Sequence, residues 1–89
     1  MNLSALFTAY NQAKWYAKRT GEFDVGNVDR ALGLLMAHRL DEARREYAFG
    51  FRHCDCPDAQ IRKRTCKHSI ALMVQKRHDE IVEEIRRGE

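Results

Sequence analysis

Three cysteines and a histidine have the types and spacing to do chemistry together: Cys54-x-Cys56, nine intervening residues, then Cys66-x-His68. Thiolate sulfur and imidazole nitrogen are preferred donors for zinc, and a structural zinc takes four donors in a tetrahedron. An odd number of cysteines confined to positions 54–66 is not a disulfide framework. Cys54 and Cys56 are also too close for an easy intramolecular bridge. Clustered cysteines in a reducing compartment point to metal or to catalysis. Catalysis fits poorly. Four protein ligands leave zinc no open position for water. His68 is followed by Ser69-Ile70, and there is no Cys-x-x-Cys pair, so the zinc-deaminase pattern is absent. The competing reading, three small buried hydrophobes and a surface histidine, does not explain why the four cluster. His53 and His78 could compete for the fourth position. His53 is expected on the opposite strand face, and His78 lies well along a helix, so both read as exposed polar residues. His38 reads as a helix-end residue.

The elements that hold these ligands follow from their spacing. On a strand, positions i and i+2 share a face, so Cys54 and Cys56 could grip one ion from a strand. In a helix the same spacing separates side chains by about 200°. Cys66 is therefore expected just before a helix and His68 inside its first turn, with Thr65 as a candidate cap. That helix runs to about Arg87, with Ile70, Met73, Val74, Arg77, Ile81 and Ile85 along one stripe and Val82 at its edge. Upstream, Tyr47, Phe49 and Phe51 alternate with smaller or polar residues, the period of a strand, which is expected to run through Cys56 and stop at Pro57. Asp58 to Thr65 reads as a polar, basic loop.

Two helices are expected before the strand. The first spans Leu3 to about Thr20, capped by Ser4 and closed by Gly21, with Leu3, Leu6, Phe7, Tyr10 and Lys14 at helical spacing. The second is capped by Asn27, carries Val28, Ala31, Leu32 and Leu35 on its stripe, and breaks near His38 to Asp41. The fold class expected is a small zinc-stapled α+β domain. It has two N-terminal helices, a short β-hairpin or strand carrying the cysteine pair, and a long C-terminal helix.

The Cys-x-Cys…Cys-x-His pattern resembles the SWIM-type zinc finger. Tyr47-Ala48-Phe49, Cys56-Pro57-Asp58 and Cys66-Lys67-His68 followed by Ile70-Ala71-Leu72 are similar to that family's surroundings of its ligands. The resemblance covers about residues 45–75. It implies a β-β-α core around one structural zinc, held by Cys54, Cys56, Cys66 and His68 and used to bind DNA or proteins. Ser69, between the last ligand and the helix body, is not needed for the ligand chemistry. Residues 1–44 form a helical N-terminal part and 76–89 a helix extension of what reads as a single domain over 1–89.

With 89 residues, 33% charged and 44% hydrophobic, the composition is that of a small globular domain, short enough to need a staple. No apolar run approaches a membrane span. Met1-Asn2-Leu3-Ser4 lacks the basic start of a secretory signal, so an intracellular location is expected. The net charge of +3 is unevenly spread. From Arg52 to Arg77, seven Lys/Arg face two Asp, giving +5, while 79–89 carries −3. Zinc with three thiolates subtracts one charge and leaves the segment basic. Arg62, Lys63, Arg64, Lys67, Lys76 and Arg77 are candidate phosphate contacts. The partner expected is nucleic acid, DNA favoured. A protein partner is the alternative, suggested by the aromatic richness of residues 3–16 and by Ile81, Val82 and Ile85 late in the last helix. Neither an enzymatic activity nor a small-molecule substrate is expected.

Overall fold

The computed structural model describes residues 1–51, 53–62 and 65–88, with only the backbone at Arg62. Among these described residues five helices follow one another: α1 (Leu3–Thr20), α2 (Val25–Met36), α3 (Leu40–Glu46), α4 (Pro57–Arg62) and α5 (Lys67–Gly88).

Local chemistry sets each end. The α1 cap is Asn2 rather than Ser4: its side chain accepts a hydrogen bond of 3.0 Å from the Ala5 amide. At the other end Gly21 takes a left-handed φ of 72° and its N–H bonds the Ala17 carbonyl. Helix α2 starts earlier than expected because Asp24, not Asn27, is its cap, accepting 2.7 Å from the Gly26 N–H. Asn27 is instead buried inside the first turn, where its side-chain oxygen accepts from Arg30. The break near His38 is present. His38 adopts a left-handed φ of 56°, and the His38 and Arg39 amides bond back to the carbonyls of Leu35 and Leu34. That pair of bonds is a Schellman closure with histidine where glycine is usual. The chain then starts α3, which buries Leu40 and Ala43.

Helices α1, α2 and α5 pack as a three-helix layer. Leu6, Val28, Leu35, Ile70 and Val74 are its large buried residues, interleaved with Ala9, Ala17, Ala31 and Ala71. The inward stripe of α1 is therefore Leu6, Ala9, Tyr10, Ala13 and Ala17. Leu3 and Phe7 of the expected stripe are largely exposed. The alanines are the reason: small side chains let helices approach closely, so the face that packs is not the one with the largest residues.

The α+β expectation is overturned. Among the described residues no strand or sheet forms, and the segment expected as a strand contributes one antiparallel bridge, Phe49 to Cys54. Two hydrogen bonds frame it, Gly50 N–H to the His53 carbonyl and Asp55 N–H to the Ala48 carbonyl, both 2.9 Å. The bridge cannot grow because Tyr47 closes α3 on one side and Pro57 opens α4 on the other. Pro57 does end the extended segment, but by occupying the first position of a helix, where its missing N–H costs nothing. The expected polar loop after Asp58 is thus partly α4.

Helix α5 runs past its neighbours. His78 is buried, contrary to the expectation of an exposed residue: its Nε2 accepts 3.1 Å from the Asn2 backbone N–H and its Nδ1 lies 2.9 Å from Asp79. This pins the start of α1 against the middle of α5. Residues 79–88 continue beyond it by roughly 15 Å at 1.5 Å per residue. His78→Ala removes the acceptor of the Asn2 N–H and empties a buried position, and is expected to cost about 1–3 kcal/mol, visible as a lowered melting temperature with zinc content unchanged. Among the described residues no helix is long and apolar enough to cross a membrane.

Candidate metal centre

Each ligand is delivered by a helix start or by the single bridge. Cys54 sits on the bridge, opposite Phe49. Cys56 directly precedes α4. Its carbonyl accepts from the Gln60 N–H and its sulfur from the Ala59 N–H at 3.5 Å. Cys66 repeats the arrangement before α5. Its carbonyl accepts from the Ile70 N–H at 3.1 Å, and its sulfur from the backbone N–H groups of Ser69 and His68. Two of the three thiols therefore cap helices, where free N–H groups and the helix dipole favour a thiolate. His68 lies in the first turn of α5, as the spacing argument required.

The four donor atoms lie within 4.8 Å of one another and all four residues are buried. The Nδ1 of His68 is 3.5 Å from the Cys54 sulfur and 3.8 Å from the Cys66 sulfur. Tetrahedral zinc, with Zn–S near 2.3 Å and Zn–N near 2.0–2.1 Å, sets its ligands roughly 3.5–3.8 Å apart. The two His68–cysteine distances fall in that range, the cysteines are unbridged, and the donors are the set zinc prefers. Nδ1 is the imidazole atom facing the sulfurs. The ring is packed by Phe49 (5.2 Å between centroids) and Tyr47 (5.5 Å), which fixes its orientation.

Residues around the cluster hold it in shape. The Cys56 N–H points at the Cys54 sulfur (3.4 Å) and the Gln60 side chain donates to the Cys54 carbonyl (3.0 Å). Ser69, given no part in the sequence reading, is buried and donates its hydroxyl to the His53 carbonyl at 3.1 Å. It ties α5 to the turn beside Cys54. Gly50 completes that turn: a Cβ there would meet the His53 ring at 2.7 Å. His53 itself is exposed and outside the ligand cluster.

The protons are unequally held. Burial pushes the Cys54 thiol up to about 12, helped by the neighbouring thiols. Burial also raises Cys66, but the Ser69 N–H, the Cys54 thiol and the His68 N–H outweigh it, and the net direction is down. His68 is lowered by burial and by Lys67, so the imidazole is neutral and able to donate a lone pair.

Residues 41–76 match the family model of the SWIM zinc finger. Comparison with curated proteins and with solved structures found no match. The match covers α3, the bridge, α4 and the first half of α5, and all four ligands fall within it. With the donor geometry it makes the cluster a site for one structural zinc ion. Among the described residues, the stretch that matches the SWIM zinc finger is mainly helical, with one bridge where the resemblance implied two strands.

The candidate phosphate contacts are dispersed. Lys63, Arg64 and the Arg62 side chain lie outside the described residues. Lys67 is beside the zinc ligands and Lys76 is exposed nine residues along α5, which places the two on opposite sides of the helix. Arg77 bonds Gln12 of α1 at 2.9 Å and pairs with Glu84.

Proposed function

We propose that this protein is a zinc-stapled module that binds nucleic acid, with DNA favoured, as a small accessory or regulatory protein inside the cell. It is not an enzyme: with Cys54, Cys56, Cys66 and His68 on the metal, no position is left for substrate or water. The observation that carries the reading is charge. The segment that folds around the zinc is +5 before metal, whereas the end of α5 is acidic. Basic side chains neutralise phosphates and release their counterions. Four to six such contacts give log K a slope of about −4 to −5 against log salt. Fluorescence anisotropy with labelled single-stranded and duplex DNA over a salt series measures it. Replacing Arg62, Lys63 and Arg64 together by Ala is expected to flatten the slope by up to about 3. Binding indifferent to salt would exclude phosphate recognition.

A protein partner is the second reading, favoured by one observation. Met1 before α1, Leu3 and Phe7 on it, and Ile85 on the free end of α5 are exposed apolar residues. Such a partner would respond to Phe7→Ala and Ile85→Ala, not to salt, in a pull-down or ultracentrifugation experiment.

A further inference from the structure

Away from the zinc, α1 and α5 leave an open groove of 660 Å³, with Tyr16, Phe23, Phe51, Met73 and Val74 among its lining residues. Phe51 comes from the turn of the zinc module, so metal and groove share one segment. The groove does not end at α1. Gln12 and Tyr16 also line a second, shallower concavity on the outer face of α1, which leads to Trp15. Exposed rings therefore follow one another from Phe51 (46% exposed) over Tyr16 to Trp15 (62% exposed).

Cations accompany both end rings. The Lys76 ammonium lies 5.4 Å from the Phe51 ring centre and the Arg19 guanidinium 5.0 Å from that of Trp15. The acids nearby are engaged: Glu22 accepts from the Tyr16 hydroxyl and Glu84 pairs with Arg77. Thr8, Asn11 and Gln12 add neutral hydrogen-bonding groups beside Trp15. Part-exposed aromatic rings spaced along this strip, Tyr16 backed by Phe23 at 5.4 Å and a cation over each end ring, suit unpaired bases that stack while their phosphates draw the cations off. A duplex offers no free base faces and calls for a protruding element to enter its groove. An apolar protein segment would leave Lys76 and Arg19 without counter-charge.

We propose that this strip binds single-stranded nucleic acid, bases stacking on Phe51, Tyr16 and Trp15, with Lys76 and Arg19 at the phosphates. The proposal rests on the nucleic-acid reading above and deepens it by naming the strand state and the surface. Stacking of this kind reads little sequence.

Trp15 is the single tryptophan of the chain, so fluorescence excited selectively at tryptophan reports on the strip. The zinc-loaded protein is titrated at low salt with labelled oligothymidine of about 12 nucleotides, within the usual span of single-strand sites, and with a labelled duplex of the same length. Quenching of Trp15 in step with anisotropy is expected. Trp15→Ala and Phe51→Ala are each expected to weaken binding by about 5- to 150-fold, the range found for loss of one stacked base. Both side chains are exposed, and unchanged circular dichroism and zinc content verify that the variants are folded. Oligothymidine binding without quenching, and indifferent to both substitutions, overturns the strip and leaves the nucleic-acid function standing, as does binding confined to duplex. No binding of either probe overturns both.

Discussion

Chelation of the zinc, or Cys56→Ser, is expected to undo the Phe49–Cys54 bridge and α4 and to lower thermal stability more than any single change in the helical core. Structural zinc contributes about 10–16 kcal/mol in small fingers, comparable with the about 5–15 kcal/mol that stabilises a whole domain. Here the described residues between α3 and α5 show little else: one bridge, the six-residue α4, and a small cluster of Cys54, Cys56 and Cys66 edged by Tyr47, Phe49 and Ala59. Native mass spectrometry should show one zinc lost. Circular dichroism should show partial loss of helix, and hydrogen exchange should show rapid exchange over 47–66 with α1 and α2 retained in part. A protein whose mass and melting curve ignore a strong chelator would refute the centre. The proton inventory gives the experiment a second arm. Cys54, raised to about 12, keeps its proton in the metal-free fold. That neutral form favours the metal-free fold below about pH 9, the thiol's ordinary value, and the benefit disappears as pH rises toward 12. Zinc demands the opposite state. Zinc uptake at pH 7 is therefore expected to release protons, and zinc affinity to fall as pH is lowered.

The metal site was legible in the sequence because its chemistry is local. Cys-x-Cys and Cys-x-His can meet one ion only if the second pair straddles a helix start, and α5 begins at Lys67, between those two ligands. The strand was misread for a physical reason. Tyr47, Phe49 and Phe51 do alternate, but alternation describes side chains, while a strand needs a partner for its backbone. The partner found among the described residues is the short stretch at Cys54, which ends at a proline-started helix. The aromatic residues serve the metal instead: Tyr47 and Phe49 pack on His68 and Phe51 faces the groove. Helix α4 was hidden because its first position is proline and its composition is polar. Its start is marked by Cys56, which the sequence offered as a ligand and not as a cap. Likewise, hydrophobicity pointed to Leu3 and Phe7 on α1, whereas packing selected alanines, whose role depends on how near the next helix comes. His78 carried no signal at all, since its partner, the Asn2 amide, is 76 positions away.

The core and the zinc are coupled through one turn of α5. His68 and Ser69 face the metal module, and the next residues, Ile70 and Ala71, face Leu6, Val28 and Leu35. The Ile70 amide also bonds the Cys66 carbonyl, so the residue that fills the core starts the helix that presents the ligands. A chain of 89 residues has little apolar surface to spare, and Ile70 is among its few large, fully buried side chains. Ile70→Ala removes three carbons from that position and leaves a void that the neighbouring alanines are too short to fill. The expected cost is about 2–5 kcal/mol, a drop in melting temperature of the order of 10–30 °C for a domain of this size. Because the backbone of α5 and all four ligands are untouched, zinc should still be retained at ambient temperature. Ile70→Val should lose only about 0.5–1.5 kcal/mol. That graded response, with metal content constant, separates core loss from metal loss, which Cys56→Ser produces together. A melting temperature unchanged by Ile70→Ala would mean that α5 does not pack on α1 and α2 as described. Zinc lost at ambient temperature from the same variant would mean that the finger cannot hold its metal without the helices behind it.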